Sequence, residues 1–349
     1  MTLTQTPVEI SESRPPLSRG ALATRVLGLA LLAALAVWIL YSAVTKPTQF
    51  ASAVVTGINN GALYALIALG YTLVYGIIEL INFSHGDLFM LATIVAAFVI
   101  VTVFGVTSLS WWAAVVLLIG LVVTMSFAAG LNVAAERLAY RRLRRAPKLA
   151  PLITAVGLSF VYQFVGVTAN GSAQKPWDTI LGDTGFYIGD VKINWKTIVV
   201  IAVTVPLLLA MTWMVANTRQ GKAMRATAQD QDAARLMGID VDRTIAFTFG
   251  LGGALAGAAG VLFMQANGLT RWDAGFRLGL IAFTAAVLGG IGNLTGAVLG
   301  GFLIGVIENL NNSLGFGQEW GQTVIFTILI VLMVFKPEGI LGKPTTEKV

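Results

Sequence analysis

Long apolar stretches separated by short polar segments make up most of the chain. They cover residues 26–44, 51–78, 88–105, 111–135, 150–169, 197–216, 244–267, 276–291, 294–311 and 322–336. A helix of about 20 apolar residues crosses the hydrocarbon core of a bilayer. The pattern therefore predicts an all-α protein, a polytopic transmembrane helical bundle of about ten spanning helices.

The two ends of the chain are polar. Residues 1–24 contain Pro7, Pro15 and Pro16, and we predict a disordered cytoplasmic N-terminus there. The transmembrane domain is expected over residues 25–337, followed by a cytoplasmic tail at 338–349. The first apolar stretch is predicted to span the membrane, because its polar lead is long for a cleaved signal peptide and its apolar run is longer than a typical signal core.

Composition supports the membrane assignment. The 349 residues are 56% hydrophobic and 11% charged, whereas a soluble domain carries about 25% charged residues. So few charges cannot cover a water-facing surface. The 38 glycines suit close helix packing. The chain has no cysteine and one histidine, so we expect no disulfide and no metal site.

The basic residues predict the orientation. The loops 136–149 and 217–243 are rich in Lys and Arg, and the tail carries Lys336. Because basic loops stay in the cytoplasm, both loops and both termini are predicted there, in agreement with an even number of spans. The loop 170–196, with aromatic residues suited to a membrane interface, is predicted on the opposite side.

A polar motif interrupts the apolar pattern between Gly70 and Met90. We assign it to the substrate pathway or its gate, and its residues are Asn82, Ser84, His85, Gly86 and Asp87. Ser84 and Asp87 have the spacing of a capping box, which predicts a helix start near His85. Such a start, if inside the protein, can hold an anionic group such as a carboxylate. A tight cytoplasmic turn with wetted polar residues is favoured over this interpretation, and His85 is expected to be a cap rather than a proton carrier.

Two further polar residues lie in the stretch before this motif. Asn60 and Tyr64 are four residues apart and therefore share one helix face. Intramembrane polar groups face the bundle interior or a cavity. Lining of a pathway and hydrogen bonding between helices both remain open for them. Glu308, near the end of a later helix, is assigned no role.

Glycines recur between Ala285 and Gly305. Those assigned to a hinge or to packing are Gly289, Gly290, Gly292, Gly296 and Gly300. Gly296 and Gly300 form a GxxxG pair, which lets helices approach closely. A hinge or a tightly packed pore helix is the functional interpretation, and plain helix packing is favoured over it.

The segment from Gly221 to Met237 is polar, rich in Ala, Gln and Arg, and free of proline. It predicts a single helix that Gly238 ends as a C′ glycine. Few bulky apolar residues are present, so docking to a cytoplasmic partner is favoured over lying on the membrane surface. The residues assigned to docking are Gly221, Lys222, Arg225, Asp230, Leu236 and Gly238.

Taken together, these segments resemble a known family. The matching stretches are GALYALIALGYTLVYGIIELINFSHGD, GKAMRATAQDQDAARLMGIDVDRTIAFTFGLGGALAGAAGVL, FTAAVLGGIGNLTGAVLGG and FKPEGILG. In this order they are similar to permease subunits of bacterial ABC importers for branched-chain amino acids, the LivH/LivM type. The resemblance covers residues 50–342.

The resemblance implies partners that composition does not reveal. It implies a second related permease, two cytoplasmic ABC ATPases, and an external substrate-binding protein, assembled in the plasma (inner) membrane of a bacterium. ATP and Mg²⁺ would be held by the ATPases, so this chain is expected to need no cofactor and to be no enzyme itself. The loop 217–243 resembles the coupling helix that the ATPases move.

Two alternatives stay open. Branched-chain or other neutral amino acids are the favoured substrates, and urea or short amides, which other members of the family carry, are the alternative. A different class is a stand-alone channel or secondary transporter, which requires charged residues inside spans. The candidates for such residues, all near predicted span ends, are Glu79, His85, Asp87 and Glu308.

Overall fold

A computed structural model describes residue 33 and residues 36–342 except 109, 145 and 148. The described helices are α1 (Ala36–Thr45), α2 (Pro47–Ile78), α3 (Ser84–Ala97), α4 (Ala113–Ala135), α5 (Arg141–Leu143), α6 (Leu149–Asn170), α7 (Trp195–Asn217), α8 (Arg219–Gln229), α9 (Gln231–Leu236), α10 (Val241–Asn267), α11 (Ala274–Gly289), α12 (Leu294–Leu314) and α13 (Gly321–Phe335). A π-helical turn, Phe98–Val103, extends α3, and a 3-10 turn, Gln318–Trp320, precedes α13.

The predicted transmembrane helical bundle is confirmed. Within the described part of the chain, eight helical segments are long and apolar enough to cross a bilayer, and α1 and α11 are shorter apolar helices. These ten segments correspond to the predicted spans. Most of the first predicted span, residues 26–44, and the whole N-terminal segment 1–24 lie outside the described residues.

Three helices form the centre of the bundle, and small residues explain how they pack. α2, α3 and α10 are mostly buried, whereas α4, α6, α7 and α13 lie outside and expose apolar side chains. α12 lies along α2, and a Cβ on Gly61 would stand 2.8 Å from the Cα of Phe302. Glycine at such crossings allows the two backbones to touch, which is how helices gain packing contacts in lipid.

The polar loop 170–196 forms small strands. Strand β1 (Lys175–Pro176) pairs antiparallel with β4 (Leu269–Thr270), and β2 (Gly185–Ile188) forms a hairpin with β3 (Val191–Asn194). The Lys196 Nζ lies 2.9 Å from Asp183 Oδ1 beside this hairpin. This hydrogen bond holds the pKa of the Asp183 carboxyl below its ordinary value.

The prediction of a loop at 136–149 is wrong for its first half. The chain continues from α4 through a π-helical turn, Glu136–Tyr140, into α5. Glu136 is fully buried and accepts hydrogen bonds from Arg141 (Nη2 to Oε2, 2.9 Å) and from Arg144. Two of the basic residues that predicted a loop here therefore pair with one buried carboxylate within a continuing helix.

The predicted single helix from Gly221 to Met237 is also wrong. The helix breaks at Asp230, whose backbone is extended, and α9 begins after it. The Asp230 carboxylate accepts from Asp232 N at 2.9 Å and from Ala233 N at 3.0 Å, so it caps a new helix. The predicted stop at Gly238 is confirmed, since its φ is +80° and it donates to Arg235 O.

Candidate functional site

The polar motif lies in a buried connection between α2 and α3. Helix α2 ends at Ile78, and Glu79 follows in the left-handed conformation with φ +53°. The side chain of Asn82 accepts hydrogen bonds from Ser84 Oγ (2.6 Å) and from Tyr140 Oη (2.7 Å). The motif is therefore a turn, as favoured, but Asn82, Ser84, His85 and Asp87 are buried instead of wetted. Asn82, Ser84 and Asp87 take part in hydrogen bonds.

The predicted capping box does not form. Phe83 occupies the N-cap position of α3 and makes no side-chain cap, because Ser84 Oγ is directed to Asn82 instead. Asp87 Oδ2 accepts from Ser159 Oγ and from Gln163 Nε2 (3.3 Å) on α6. Ser84 thus bonds within the turn and Asp87 bonds to α6, so neither residue caps the helix. Through Asp87 and Asn82 the motif ties the start of α3 to α6 and to the α4–α5 turn.

His85 and Gly86 fill the space between α3 and its neighbours. The His85 ring packs edge-on against Tyr71, with 4.8 Å between centroids, so the prediction that it caps the helix is wrong. A Cβ on Gly70 would stand 2.7 Å from His85 Cε1, and one on Gly86 would stand 2.7 Å from Gly279 Cα. Helices α2, α3 and α11 meet here with no room for larger residues.

Tyr64 makes a hydrogen bond that sequence reasoning left open. Its hydroxyl donates to Glu308 Oε2 on α12 at 2.6 Å, while Asn59 Nδ2 donates to Asn60 Oδ1 at 3.3 Å. Glu308 is thus a candidate functional residue that the sequence analysis left without a role. The available signal was the rule that an ionisable residue inside a span has a partner or lines a pathway.

The glycine-rich segment forms the hairpin between α11 and α12. Gly290 and Gly292 have φ values of +105° and +88°, and Asn293 caps α12 by accepting from Gly296 N at 3.0 Å. Along the hairpin, a Cβ on Gly289 would stand 2.6 Å from Ala297 N, so the backbones touch. We call residues 290–293 the glycine turn.

Residues beyond α13 pack on the glycine turn. Ile340 N donates to Leu288 O at 2.8 Å, and Leu341 N donates to Gly289 O at 3.0 Å. The Asn293 side chain donates to Leu341 O at 2.7 Å. The segment predicted as a cytoplasmic tail from residue 338 onward is therefore attached, as far as residue 342, to the end of α11.

The segment α8–α9 packs tightly on the end of α7. A Cβ on Gly221 would stand 2.5 Å from Met214 O and closer still to Val215 O. The guanidinium of Arg225 donates to Val215 O, so this residue, predicted to dock a partner, holds α8 to α7 within the chain. Lys222 remains exposed.

The tip of the same segment is apolar and unprotected. Leu236 and Met237 are 89% and 82% exposed, immediately before the Gly238 stop. After the stop, at the start of α10, Arg144 Nη1 lies 2.5 Å from Asp242 Oδ1 and also pairs with buried Glu136. This ion-pair cluster joins the start of α10 to the α4–α5 turn.

A cleft of about 700 Å³ separates α8 from the glycine turn. Its walls come from α2, α7 and α8 and from the turn, and include Thr72, Thr212, Arg225, Asn293 and Thr295. The structure thus brings the segment predicted for docking next to the glycines predicted as a hinge. It does not bring Asn60 or Tyr64 to this cleft.

Comparison with known proteins decides the family. A family model described as "Branched-chain amino acid transport system / permease component" matches residues 53–333. The chain belongs to this permease family. The resemblance noted in the sequence is therefore confirmed.

Curated relatives match over nearly their whole length. The chain is 39% identical over 302 residues to the high-affinity branched-chain amino acid transport system permease protein BraD of Pseudomonas aeruginosa, covering 84% of this chain and 96% of that protein. It is 39% identical over 301 residues to LivH of Salmonella typhimurium, with the same coverage. A probable LivH of the archaeon Methanocaldococcus jannaschii is 28% identical over 293 residues, covering 80% of this chain and 89% of that protein.

Proposed function

We propose that this chain is the transmembrane permease subunit of an ATP-driven importer for branched-chain or other neutral amino acids. It lies in the bacterial inner membrane with both termini in the cytoplasm. A second permease completes the pathway, two ATPases bind at the cytoplasmic face, and an external binding protein delivers the substrate. ATP and Mg²⁺ are bound by the ATPases, and this chain carries out no covalent chemistry.

The observation that carries the proposal is the form of the α8–α9 segment. It has an apolar tip, Leu236 and Met237, that would stay in water without a partner. Exposed apolar groups beside polar ones are typical of protein docking sites. The segment is also tied to the bundle through Gly221 and Arg225, so a force applied at its tip reaches α7.

The cleft suggests how movement of the segment reaches the pathway. When the ATPases close on ATP, they displace α8–α9 toward or away from the glycine turn across the cleft. The turn ends the α11–α12 hairpin, and α12 packs along α2 through glycines. A rigid-body shift of this kind switches the bundle between outward and inward access. The buried turn Asn82–Asp87 lies at the α2 end and forms part of the inner gate.

The test is purification of the tagged chain from its native membrane, followed by reconstitution with its partners in liposomes. We expect a second permease and two ATPases to copurify, and ATP-driven uptake of radiolabelled leucine when binding protein is supplied. Competition by valine and isoleucine supports amino acids as substrates. Competition by urea or acetamide instead would replace that substrate class.

The docking step is tested by placing charge on the apolar tip. The double variant Leu236→Asp/Met237→Asp should lose copurifying ATPases while still inserting in the membrane, because burying two carboxylates at an interface is strongly unfavourable. The matched control is Phe316→Asp, at a residue that is 78% exposed beyond the far end of α12. Retention of the ATPases by the double variant would remove α8–α9 as the docking site.

A further inference from the structure

A charged cluster joins three helices of the bundle and is not used by the coupling mechanism. Tyr64 on α2 donates to Glu308 on α12 at 2.6 Å. Arg277 on α11 lies close enough to interact electrostatically with both groups. The cluster thus places one cation and one anion on neighbouring helices instead of on loops.

The register of the α11–α12 hairpin explains why Arg277 and Glu308 meet. Gly300 packs against Ala285, so these residues are level on the two antiparallel helices. Two steps of four residues from Ala285 back along α11 lead to Arg277, and two such steps from Gly300 forward along α12 lead to Glu308. Since a step of four residues returns to the same helix face, both side chains lie on facing sides at one level.

The cluster lies in the half of the α11–α12 hairpin that is farther from the glycine turn. Glu308 lies about 21 Å along α12 from its start at Leu294, at 1.5 Å per residue. On the other side, α2 continues for about 25 Å from Tyr64 to its first residue. Arg277 lies in the first turn of α11, which begins at Ala274, and Glu308 lies about 9 Å from the end of α12 at Leu314, so Arg277 is the member of the cluster nearest to a helix end.

In the part of the chain that the structure describes, Arg277 and Glu308 do not form a direct ion pair with each other. Among the described residues, neither Arg277 nor Glu308 takes part in an ion pair within 4.0 Å. Glu308 accepts from Tyr64 through Oε2, and Arg277 is exposed. Both groups therefore keep hydrogen-bonding capacity for a third group that fits between them.

The face that carries the cluster is polar, unlike the outer faces of the bundle. Asn60 lies one turn from Tyr64, and Asn312 lies one turn from Glu308. By contrast, the peripheral helices expose residues such as Leu118, Phe164, Leu209 and Ile330. Charged side chains within a bundle face its interior or a water-filled cavity, because exposure to hydrocarbon is costly. A face of this kind is suited to be a wall of an aqueous pathway.

We propose that Arg277 and Glu308 bind the zwitterionic backbone of an amino acid as it passes along this wall. The Arg277 guanidinium binds the α-carboxylate, for which its planar donors are suited. The Glu308 carboxylate accepts hydrogen bonds from the α-ammonium group, and Tyr64 is a positioning residue that orients it. This proposal rests on the proposed importer function and selects amino acids over urea and amides, which lack the two charges.

The test measures binding of radiolabelled leucine to the purified complex, with leucinamide and 4-methylpentanoate as competitors. Leucinamide lacks the carboxylate and 4-methylpentanoate lacks the ammonium group. In the unmodified complex, leucine should compete about tenfold to a hundredfold better than either, the effect of one charged hydrogen bond. Arg277→Gln should abolish the preference for leucine over leucinamide. Glu308→Gln should abolish the preference for leucine over 4-methylpentanoate. Both variants should also slow leucine uptake.

Two controls separate this role from a structural one. Arg271→Gln alters an exposed arginine just before α11 that pairs with Asp273, and it should leave all preferences unchanged. The exchanged variant Arg277→Glu/Glu308→Arg restores an attraction between the helices but reverses the order of charges along the pathway. If exchange restores uptake and leucine preference, the pair is only structural and the proposal is overturned.

The outcome is distinguishable from failure of the importer proposal. Copurification of ATPases and ATP-driven uptake are measured on the same preparations. If both are present and the Arg277 and Glu308 variants bind and transport leucine normally, the zwitterion site alone is refuted. If the unmodified chain has neither ATPases nor ATP-driven uptake, both proposals are refuted.

Discussion

The coupling step is most sharply tested at Gly221, where α8 rests on the end of α7. In Gly221→Ala the added methyl group would stand 2.5 Å from Met214 O, with Val215 O nearer still. Both obstacles are backbone atoms that cannot rotate away. Ordinary contacts lie at ~3.5 Å, so α8 must move off α7 by about 1 Å.

The free-energy change follows from this displacement. Overpacking of this kind costs about 1–3 kcal/mol. The shift also weakens the hydrogen bond from Arg225 to Val215 O, which belongs to the same contact. Because a coupling free energy of about 1–3 kcal/mol corresponds to roughly 5- to 150-fold, the number of substrates moved per ATP should fall by at least fivefold.

The assay compares ATP hydrolysis with leucine uptake in the same liposomes. Gly221→Ala should keep ATPase binding and hydrolysis while uptake per ATP falls. Gly157→Ala on α6 is the matched control, because a Cβ there has no heavy atom within 4 Å. An unchanged ratio of uptake to hydrolysis in Gly221→Ala would refute the view that α8 transmits movement through its contact with α7.

Three further predictions concern stability. Glu136→Gln leaves two arginines without their buried carboxylate and should destabilise the protein by about 3 kcal/mol, which lowers the melting temperature in detergent. The control Asp232→Asn alters an exposed ion pair and should change the melting temperature little. Gly300→Val places side-chain atoms about 3.0 Å or less from the α11 backbone and should force the α11–α12 hairpin apart, reducing the yield of folded protein on size exclusion. Because the pKa of Asp183 is lowered in the folded state, its pair with Lys196 contributes stability above the ordinary carboxyl pKa, and this stability is lost as the pH falls. Protease cleavage of the β2–β3 hairpin should therefore rise in acid. Lys196→Gln should remove that pH dependence.

Span positions were predictable because they depend on a local property. An apolar run of sufficient length crosses a membrane whatever it packs against, and α10 spans Val241–Asn267 where the pattern predicted 244–267. The stop at Gly238 was predictable for a similar reason, since a left-handed residue after a helix favours glycine. Both features depend on neighbouring residues in sequence.

Most of the wrong predictions involve side-chain partners that residue spacing does not reveal. Ser84 and Asp87 have the right spacing to cap a helix, but Asn82 and Ser159 are alternative partners that spacing does not reveal. The hydrogen-bond partner of Glu308 is Tyr64, 244 residues earlier, so the position of Glu308 near a span end did not indicate this contact. The break at Asp230 did have a local signal, because aspartate is a strong N-cap residue, and the uniform composition around it concealed that signal.

The attachment of residues 340–341 to the glycine turn has a practical consequence for handling the protein. The two backbone N–H groups and one carbonyl that make this attachment belong to the last described residues, so shortening the chain before Ile340 would leave the end of α11 without them. A purification tag fused directly to residue 340 or 341 would apply force to the α11–α12 hairpin whenever the tag is bound to a resin. Fusions should therefore follow residue 342 through a flexible spacer, and any C-terminal truncation series becomes a probe of the α11–α12 hairpin.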